Sequence, residues 1–142
     1  MDERVSKIMT TGVVTISLDE KLDLVDEIMS SGDIRHMPVT KGGFVVGLVT
    51  QRDLLRAKLS SVINFSKEDR KELLEATDVE KVMVKDVKLA DPNEPVVHAA
   101  KRMLEMRIGC LPVVNNDREL LGIITEIDVM RYFVEIAEGN DS

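Results

Sequence analysis

The chain has no tryptophan, one tyrosine and three phenylalanines, so aromatics make up 3% of its 142 residues. A platform on which single-stranded nucleic acid stacks its bases needs such rings, and that class is set aside. Cations are also short, 19 against 26 acidic residues, for a net charge of −7. A general binder of nucleic acid or of an anionic membrane carries the opposite balance, so neither partner is expected. The single cysteine, Cys110, excludes a disulfide within the chain and fits a reducing, cytoplasmic setting. No apolar run nears membrane-spanning length, and the opening Met1, Asp2, Glu3, Arg4 lacks the charged-then-apolar order of a signal peptide. Hydrophobic residues are 44% of the chain, enough for a core. With so few rings, aliphatics and the eight methionines must fill it.

What is present is organised around two stretches. Residues 47–53 read Gly-Leu-Val-Thr-Gln-Arg-Asp, and residues 122–128 read Gly-Ile-Ile-Thr-Glu-Ile-Asp. The branched aliphatics suit a buried strand, and apolar helical faces open just beyond, at Leu54 and Leu55 and at Val129 and Met130. Thr50 and Thr125 then stand at helix N-caps, with Asp53 and Asp128 three residues on, close to a capping box. Two readings are open. Thr and Asp can be caps and complements to the helix dipole, and nothing more. Alternatively, the free N–H groups at such a junction suit a phosphate, while an ionised Asp accepts two hydrogen bonds from a ribose diol.

The flanking sequence repeats as well. Met83 follows Met9 by 74 positions, and residues 108–113 follow residues 34–39 by the same 74. Gly122 follows Gly47 by 75, which places one inserted residue in the turn at 115–119. Each copy reads strand, helix, strand, strand, helix. In the first, residues 13–16 form a strand and a helix starts at residues 17–20, with Leu22, Val25, Ile28 and Met29 on its apolar face and Gly32 placed to stop it. Strands follow at residues 34–39 and 44–49, then a helix from Gln51 to about Leu59. In the second, residues 87–90 are the strand, 91–95 the helix entry, and Val96, Ala99, Ala100, Met103 and Leu104 the apolar face. The expected organisation is a first repeat over 1–60, a connecting helical segment over 61–78, a second repeat over 79–138 and a frayed tail at 139–142. The connector opens on a second capping-box-like start at Ser66 and Asp69, followed by Leu73 and Leu74. With Leu59, Val62, Ile63 and Phe65 before it, it is too apolar for a free linker. The fold class is α/β (α+β): two pseudo-symmetric repeats, each too small to bury its own face alone, packed through their sheets.

Met9-Thr10 and Met83-Val84 after short helical turns, Met37-Pro38-Val39 and Leu111-Pro112-Val113, and the two Gly-x-x-Thr-x-x-Asp stretches make the chain resemble the cystathionine-β-synthase (CBS) domain family in its tandem-pair, stand-alone form. The resemblance covers all but the connector and the tail. It implies a flat module with two clefts between the repeats that bind adenosine compounds: AMP, ADP, ATP or S-adenosylmethionine. Asp53 and Asp128 would then hold ribose hydroxyls, with Thr50 and Thr125 near ribose or phosphate. Main-chain groups of the first strands, Val13, Val14, Thr15 and Ile16 and Val87, Lys88, Leu89 and Ala90, would hold the adenine together with apolar residues such as Met37, Pro38, Leu111 and Pro112. It also implies that Asp53 faces residues 87–90 and Asp128 residues 13–16, and that basic residues before the Pro-Val strand, here Arg35 and His36, meet phosphate.

The two clefts are not expected to be equal. The first repeat carries Arg35 and His36 where the second carries Gly109 and Cys110, and a guanidinium is a bidentate phosphate donor. Arg35 otherwise reads as a solvated surface charge, His36 as a satisfied, partly buried imidazole, His98 as surface and Cys110 as core. Arg52 could reach phosphate, but Ile127 replaces it in the second motif. No Cys/His cluster has metal-ligand spacing, and no nucleophile elbow or P-loop is present, so neither a catalytic residue nor a metal or cofactor is nominated. The expected function is a regulatory sensor of an adenine nucleotide that passes its occupancy to an unidentified protein partner. The alternative is a structural dimerisation module with empty clefts. A homodimer is expected in either case, since Leu54, Leu55, Val129, Met130, Phe133 and Val134 crowd the second helices.

Overall fold

The computed structural model describes residues 3–59 and 66–139. The expectations for Val62, Ile63 and Phe65 and for the tail beyond Gly139 lie outside them. The chain divides into two compact units, one holding the residues up to Val13 together with those from Lys88 onward, the other Val14–Val87. This division cuts across the repeats: the lead-in of each repeat belongs to the unit that holds the sheet of the other.

In the unit Val14–Val87, β1 (Ile16–Ser17) runs parallel to β2 (His36–Lys41), which pairs antiparallel with β3 (Phe44–Thr50). α2 (Leu22–Gly32) packs Leu22, Val25 and Met29 into a core with Ile16, Met37, Val39, Val49, Leu54 and Val79. β3 continues directly into α3 (Gln51–Leu59). α4 (Lys67–Ala76) starts on a complete capping box between Ser66 and Asp69, and packs on α2 through the buried Leu74, while Leu73 stays exposed. The short turn α5 (Val79–Val82) closes the unit.

In the other unit, the turn α1 (Val5–Ile8) joins α6 (Val96–Met106), β4 (Cys110–Val114), β5 (Leu120–Thr125) and α7 (Glu126–Ala137). β4 and β5 are antiparallel. The core is Val5, Ala90, Ala99, Met103, Leu111, Val113 and Ile124. Met29, Met37 and Met103 are core residues, whereas Met106 and Met130 are exposed.

Three details differ from the sequence reading. The first strands are short: residues 13–15 are not strand, and in the second repeat only Ala90 makes a bridge, to Val113. Proline is the reason. Ala90 N–H donates to the Pro112 carbonyl (2.9 Å) and Val114 N–H to the Ala90 carbonyl (3.1 Å), so the next ladder bond upstream would have to come from the nitrogen of Pro112. Proline has no N–H, and the ladder stops. Pro38 stands in the same register, since Ile16 pairs with Val39 as Ala90 pairs with Val113. Second, α2 begins at Leu22 rather than at residues 17–20, because Ser17 is drawn into β1 opposite Thr40. Its entry is set by a bridge to residue 78: Leu22 N–H donates to the Thr77 carbonyl (3.0 Å) and Val79 N–H to the Glu20 carbonyl (2.9 Å). Third, Gly32 lies inside α2, and the left-handed stop is Asp33 (φ 53°), matched in the other repeat by Arg107 (φ 54°). A short polar Asp tolerates this conformation better than most residues with a Cβ.

Lys21 forms an ion pair with Asp78 across the α2 entry, and this hydrogen bond and charge hold the Asp78 carboxyl below its ordinary value of 3.8. A carboxylate with a depressed folded pKa contributes stability above its unfolded pKa and loses it as pH falls through the folded one. Lys21→Met should therefore lower the urea midpoint slightly at neutral pH, the pair being exposed, and the difference should vanish in acid once Asp78 is protonated. A difference that persists in acid would assign the effect to packing.

The glycines of the two motifs are required by close approach. A Cβ on Gly47 would lie 2.3 Å from Met83 Sδ, and one on Gly122 would lie 2.7 Å from both Met9 Sδ and the Thr10 carbonyl oxygen. The lead-in of each repeat thus lays its methionine over a motif glycine. It also adds a short bridge to the strand, Val84 to Leu48 and Thr10 to Ile123.

Candidate functional site

Each unit presents one strand–helix junction. At the first, Thr50 ends β3. Its Oγ1 accepts from Asp53 N–H (3.1 Å), while Asp53 Oδ2 accepts from Thr50 N–H (2.9 Å) and from the Thr50 hydroxyl (2.9 Å). At the second, Thr125 and Asp128 repeat the arrangement at 3.3, 2.9 and 3.1 Å. Both boxes are complete, so the capping reading holds at both junctions. One oxygen of each carboxylate is engaged in the cap, and Oδ1 remains.

Around that oxygen the junctions diverge. Asp128 Oδ1 accepts from the Thr10 hydroxyl (3.0 Å), with Arg131 Nη1 at 3.4 Å, and Asp128 is 3% exposed. Asp53 is half-buried, and among the described residues its Oδ1 has no hydrogen-bond partner. The residue at the place of Thr10 is Val84, whose backbone bridges Leu48 as that of Thr10 bridges Ile123. Sequence reasoning noted Met9-Thr10 and Met83-Val84 only as family marks. The signal was available in the repeat alignment, where a hydroxyl at one copy faces a valine at the other.

Arg35 and His36 stand next to Thr50 and Gln51. The Arg35 carbonyl accepts from Gln51 N–H (2.8 Å), and His36 pairs with Thr50. At the second junction the Gly109 carbonyl accepts from Glu126 N–H (3.1 Å), and Cys110 pairs with Thr125. The first junction therefore gathers Arg35, His36, Gln51 and Arg52, where the second gathers Gly109, Cys110, Glu126 and Ile127. Arg35 and Arg52 are exposed, and among the described residues neither guanidinium is in an ion pair. Cys110 is buried, and burial, with a smaller push from the Glu126 charge, raises its thiol to about 12, the protonation of a core residue.

The other residues are placed unequally. Met37 and Leu111 are fully buried in the two cores, and Pro38 and Pro112 are buried in β2 and β4, so the side chains of Met37 and Leu111 present no surface. Val14 is exposed, Val13 and Thr15 are half-buried, and Pro38 cannot give the Val14 carbonyl a ladder bond. In the second repeat, Val87 and Leu89 are half-buried and Lys88 exposed, and Ala90 is taken up by the sheet. The Leu89 carbonyl accepts from Arg102 Nη2 (2.8 Å), and Arg102 also forms a two-pronged pair with Glu94. His98, read as surface, is exposed but has its Nδ1 2.8 Å from Glu94 Oε2. Among the described residues no group of three or more His, Cys, Asp or Glu side chains is placed to hold a metal ion, and no helix is long and apolar enough to cross a membrane.

Comparison with known proteins gives a consistent result. The family model described as the CBS domain matches residues 5–60 and again residues 79–135. A CBS domain-containing protein of Dictyostelium discoideum is 31% identical over 135 residues, covering 94% of this chain and 93% of that protein. A homoserine O-acetyltransferase of Methanococcoides burtonii is 34% identical over 128 residues, but the chain spans only 23% of its length. Among solved structures, the CBS domain pair of protein MJ0100, in complex with 5′-methylthioadenosine and S-adenosyl-L-methionine, gives a TM-score of 0.80 at 26% identity, covering 96% of this chain and 99% of that one.

Proposed function

The chain belongs to the CBS domain family, with two such domains in tandem, and on that premise we propose that it is a regulatory module that senses an adenosine compound through its Thr/Asp junctions. The observation that carries this reading is the repeated junction itself: an ionised carboxylate beside helix N–H groups, a donor–acceptor set suited to a ribose diol and what hangs from its 5′ carbon. The adenosine ligands in the related MJ0100 pair support the class. AMP, ADP, ATP and S-adenosylmethionine are the candidates, with the Arg35 junction suited to phosphate. The ligand regulates rather than reacts, occupancy passing to an unidentified protein partner by differential affinity for two arrangements of the chain. The setting is cytoplasmic, and two copies associate.

A melting experiment tests the reading. A compound that binds only the folded state raises its stability, by about 2.7 kcal/mol at a hundred times Kd. AMP, ATP and S-adenosylmethionine are each titrated into the wild type and Asp53→Asn, and at least one is expected to raise Tm by several degrees in the wild type and less in the variant. Failure of every adenosine compound to bind below roughly millimolar concentration overturns the proposal. That result would favour the alternative, a dimerisation module in which the complete capping boxes are the whole role of Thr and Asp.

A further inference from the structure

We propose that the two junctions differ in readiness, with Asp53 the carboxylate that receives the ribose diol and Thr10 a latch that keeps Asp128 engaged within its own unit. This rests on the adenosine-sensing reading and says which of the two repeats carries it. A carboxylate offers a diol its outward oxygen, and that oxygen is committed at Asp128: the Thr10 hydroxyl donates to it at 3.0 Å, Arg131 stands at 3.4 Å, and the residue is 3% exposed. A ligand hydroxyl would have to displace a bond the protein already makes, so its net gain is small. At Asp53 the capping box is the same, the partner position holds Val84, which has no hydroxyl, and Oδ1 has no partner among the described residues. There a diol gains a charge-assisted hydrogen bond without breaking one. An arginine stands three residues on at both junctions, Arg56 after Asp53 and Arg131 after Asp128, but only Arg131 approaches its carboxylate, at 3.4 Å, and there it adds to the shorter bond from Thr10. Thr10 is therefore a positioning residue that acts through Asp128.

The test uses 5′-methylthioadenosine, which has the diol and no phosphate, so that the unequal charge of Arg35 and Glu126 does not enter. Calorimetry on the full chain should give one site per chain in the wild type, weakened roughly 10- to 100-fold in Asp53→Asn and also weakened with 2′-deoxyadenosine in place of the ribonucleoside. Thr10→Val should raise the stoichiometry toward two, Thr10→Ala should do the same with the bulk removed as well, and Thr10→Ser, which keeps the hydroxyl, should stay at one. Val84→Thr, at an exposed position, should weaken the single wild-type site. Two equal sites in the wild type, a single site lost in Asp128→Asn but kept in Asp53→Asn, or one unaltered site in both Thr10→Val and Thr10→Ala would each overturn the latch while leaving adenosine sensing intact. No binding of any adenosine compound to wild type, Thr10→Val or Thr10→Ala would overturn both.

Discussion

Gly122→Ala should destabilise the protein by about 3 kcal/mol, and Gly47→Ala by about 1 kcal/mol, although the two glycines hold the same place in their motifs. The nearest atom points the other way, since the added Cβ would be 2.3 Å from Met83 Sδ at Gly47 and 2.7 Å from Met9 Sδ at Gly122. What decides is whether the neighbour can move. Around Gly47 the three nearest atoms all belong to the Met83 side chain, a half-buried, flexible thioether rather than backbone. Around Gly122 one of them is the Thr10 carbonyl oxygen, also 2.7 Å away. That oxygen accepts from Ile123 N–H (2.9 Å), and Thr10 N–H donates back to the Ile123 carbonyl (2.8 Å). Moving it strains both bonds of the bridge and the hydroxyl contact to Asp128. Double variants separate the causes. Met83→Ala should recover most of the loss in Gly47→Ala, whereas Met9→Ala should leave most of the loss in Gly122→Ala. Urea denaturation of the wild type, the two glycine variants and the two double variants measures this. Equal losses for the two glycines, or full rescue of Gly122→Ala by Met9→Ala, would show that side-chain crowding alone sets the requirement.

The same comparison shows what a linear reading can reach. The spacing of Gly, Thr and Asp, and the 74- and 75-residue offsets, are local and periodic, so the strand–helix junctions, α3 from Gln51 and the capping boxes were legible in the sequence. The box at Ser66 was legible for the same reason, as it closes over three residues. Features decided by a distant partner were not. Ser17 looks like a helix start until Thr40 draws it into β1. Residues 13–15 look like a strand until Pro38 removes the donor that would continue the ladder. Gly32 is the expected stop, but the left-handed turn falls one residue later, at Asp33, and at Arg107 in the second repeat, so the repeat keeps the conformation without keeping a glycine. The lead-in of each repeat is as apolar and helical whichever sheet it joins, and no periodicity reports that residues up to Val13 belong with those beyond Lys88. The latch is the extreme case: Thr10 and Asp128 are 118 residues apart in the chain and 3.0 Å apart in the fold. Only the mismatch of Thr10 with Val84 hinted that the two aspartates are not equivalent.

In Phe133→Glu the proposed dimer should give way to monomer. α7 continues straight from the Asp128 junction, and its only buried residue is that aspartate. Ile127, Met130 and Phe133 are 60%, 64% and 68% exposed, with Val134 beside them. Positions 127, 130 and 134 recur at helical spacing, so these side chains form one stripe rather than scattered contacts. Leu55 and Leu59 are exposed on α3 in the same way. A stripe this apolar on a helix of otherwise polar surface marks an association face, and two-fold pairing of identical stripes is the commonest way to cover one. A glutamate at its centre would be buried without a partner in the dimer and solvated in the monomer, raising the dimer Kd by roughly 100-fold or more. Light scattering should report about twice the chain mass of 15.9 kDa for the wild type and a single chain mass for the variant. Because position 133 is exposed in the single chain, the variant should keep the wild-type far-ultraviolet circular dichroism, which separates lost association from lost folding. A wild type that stays monomeric at roughly tens of micromolar, where even a modest interface of Kd near 1 μM would be filled, removes the dimer and leaves the α7 stripe for a different protein partner.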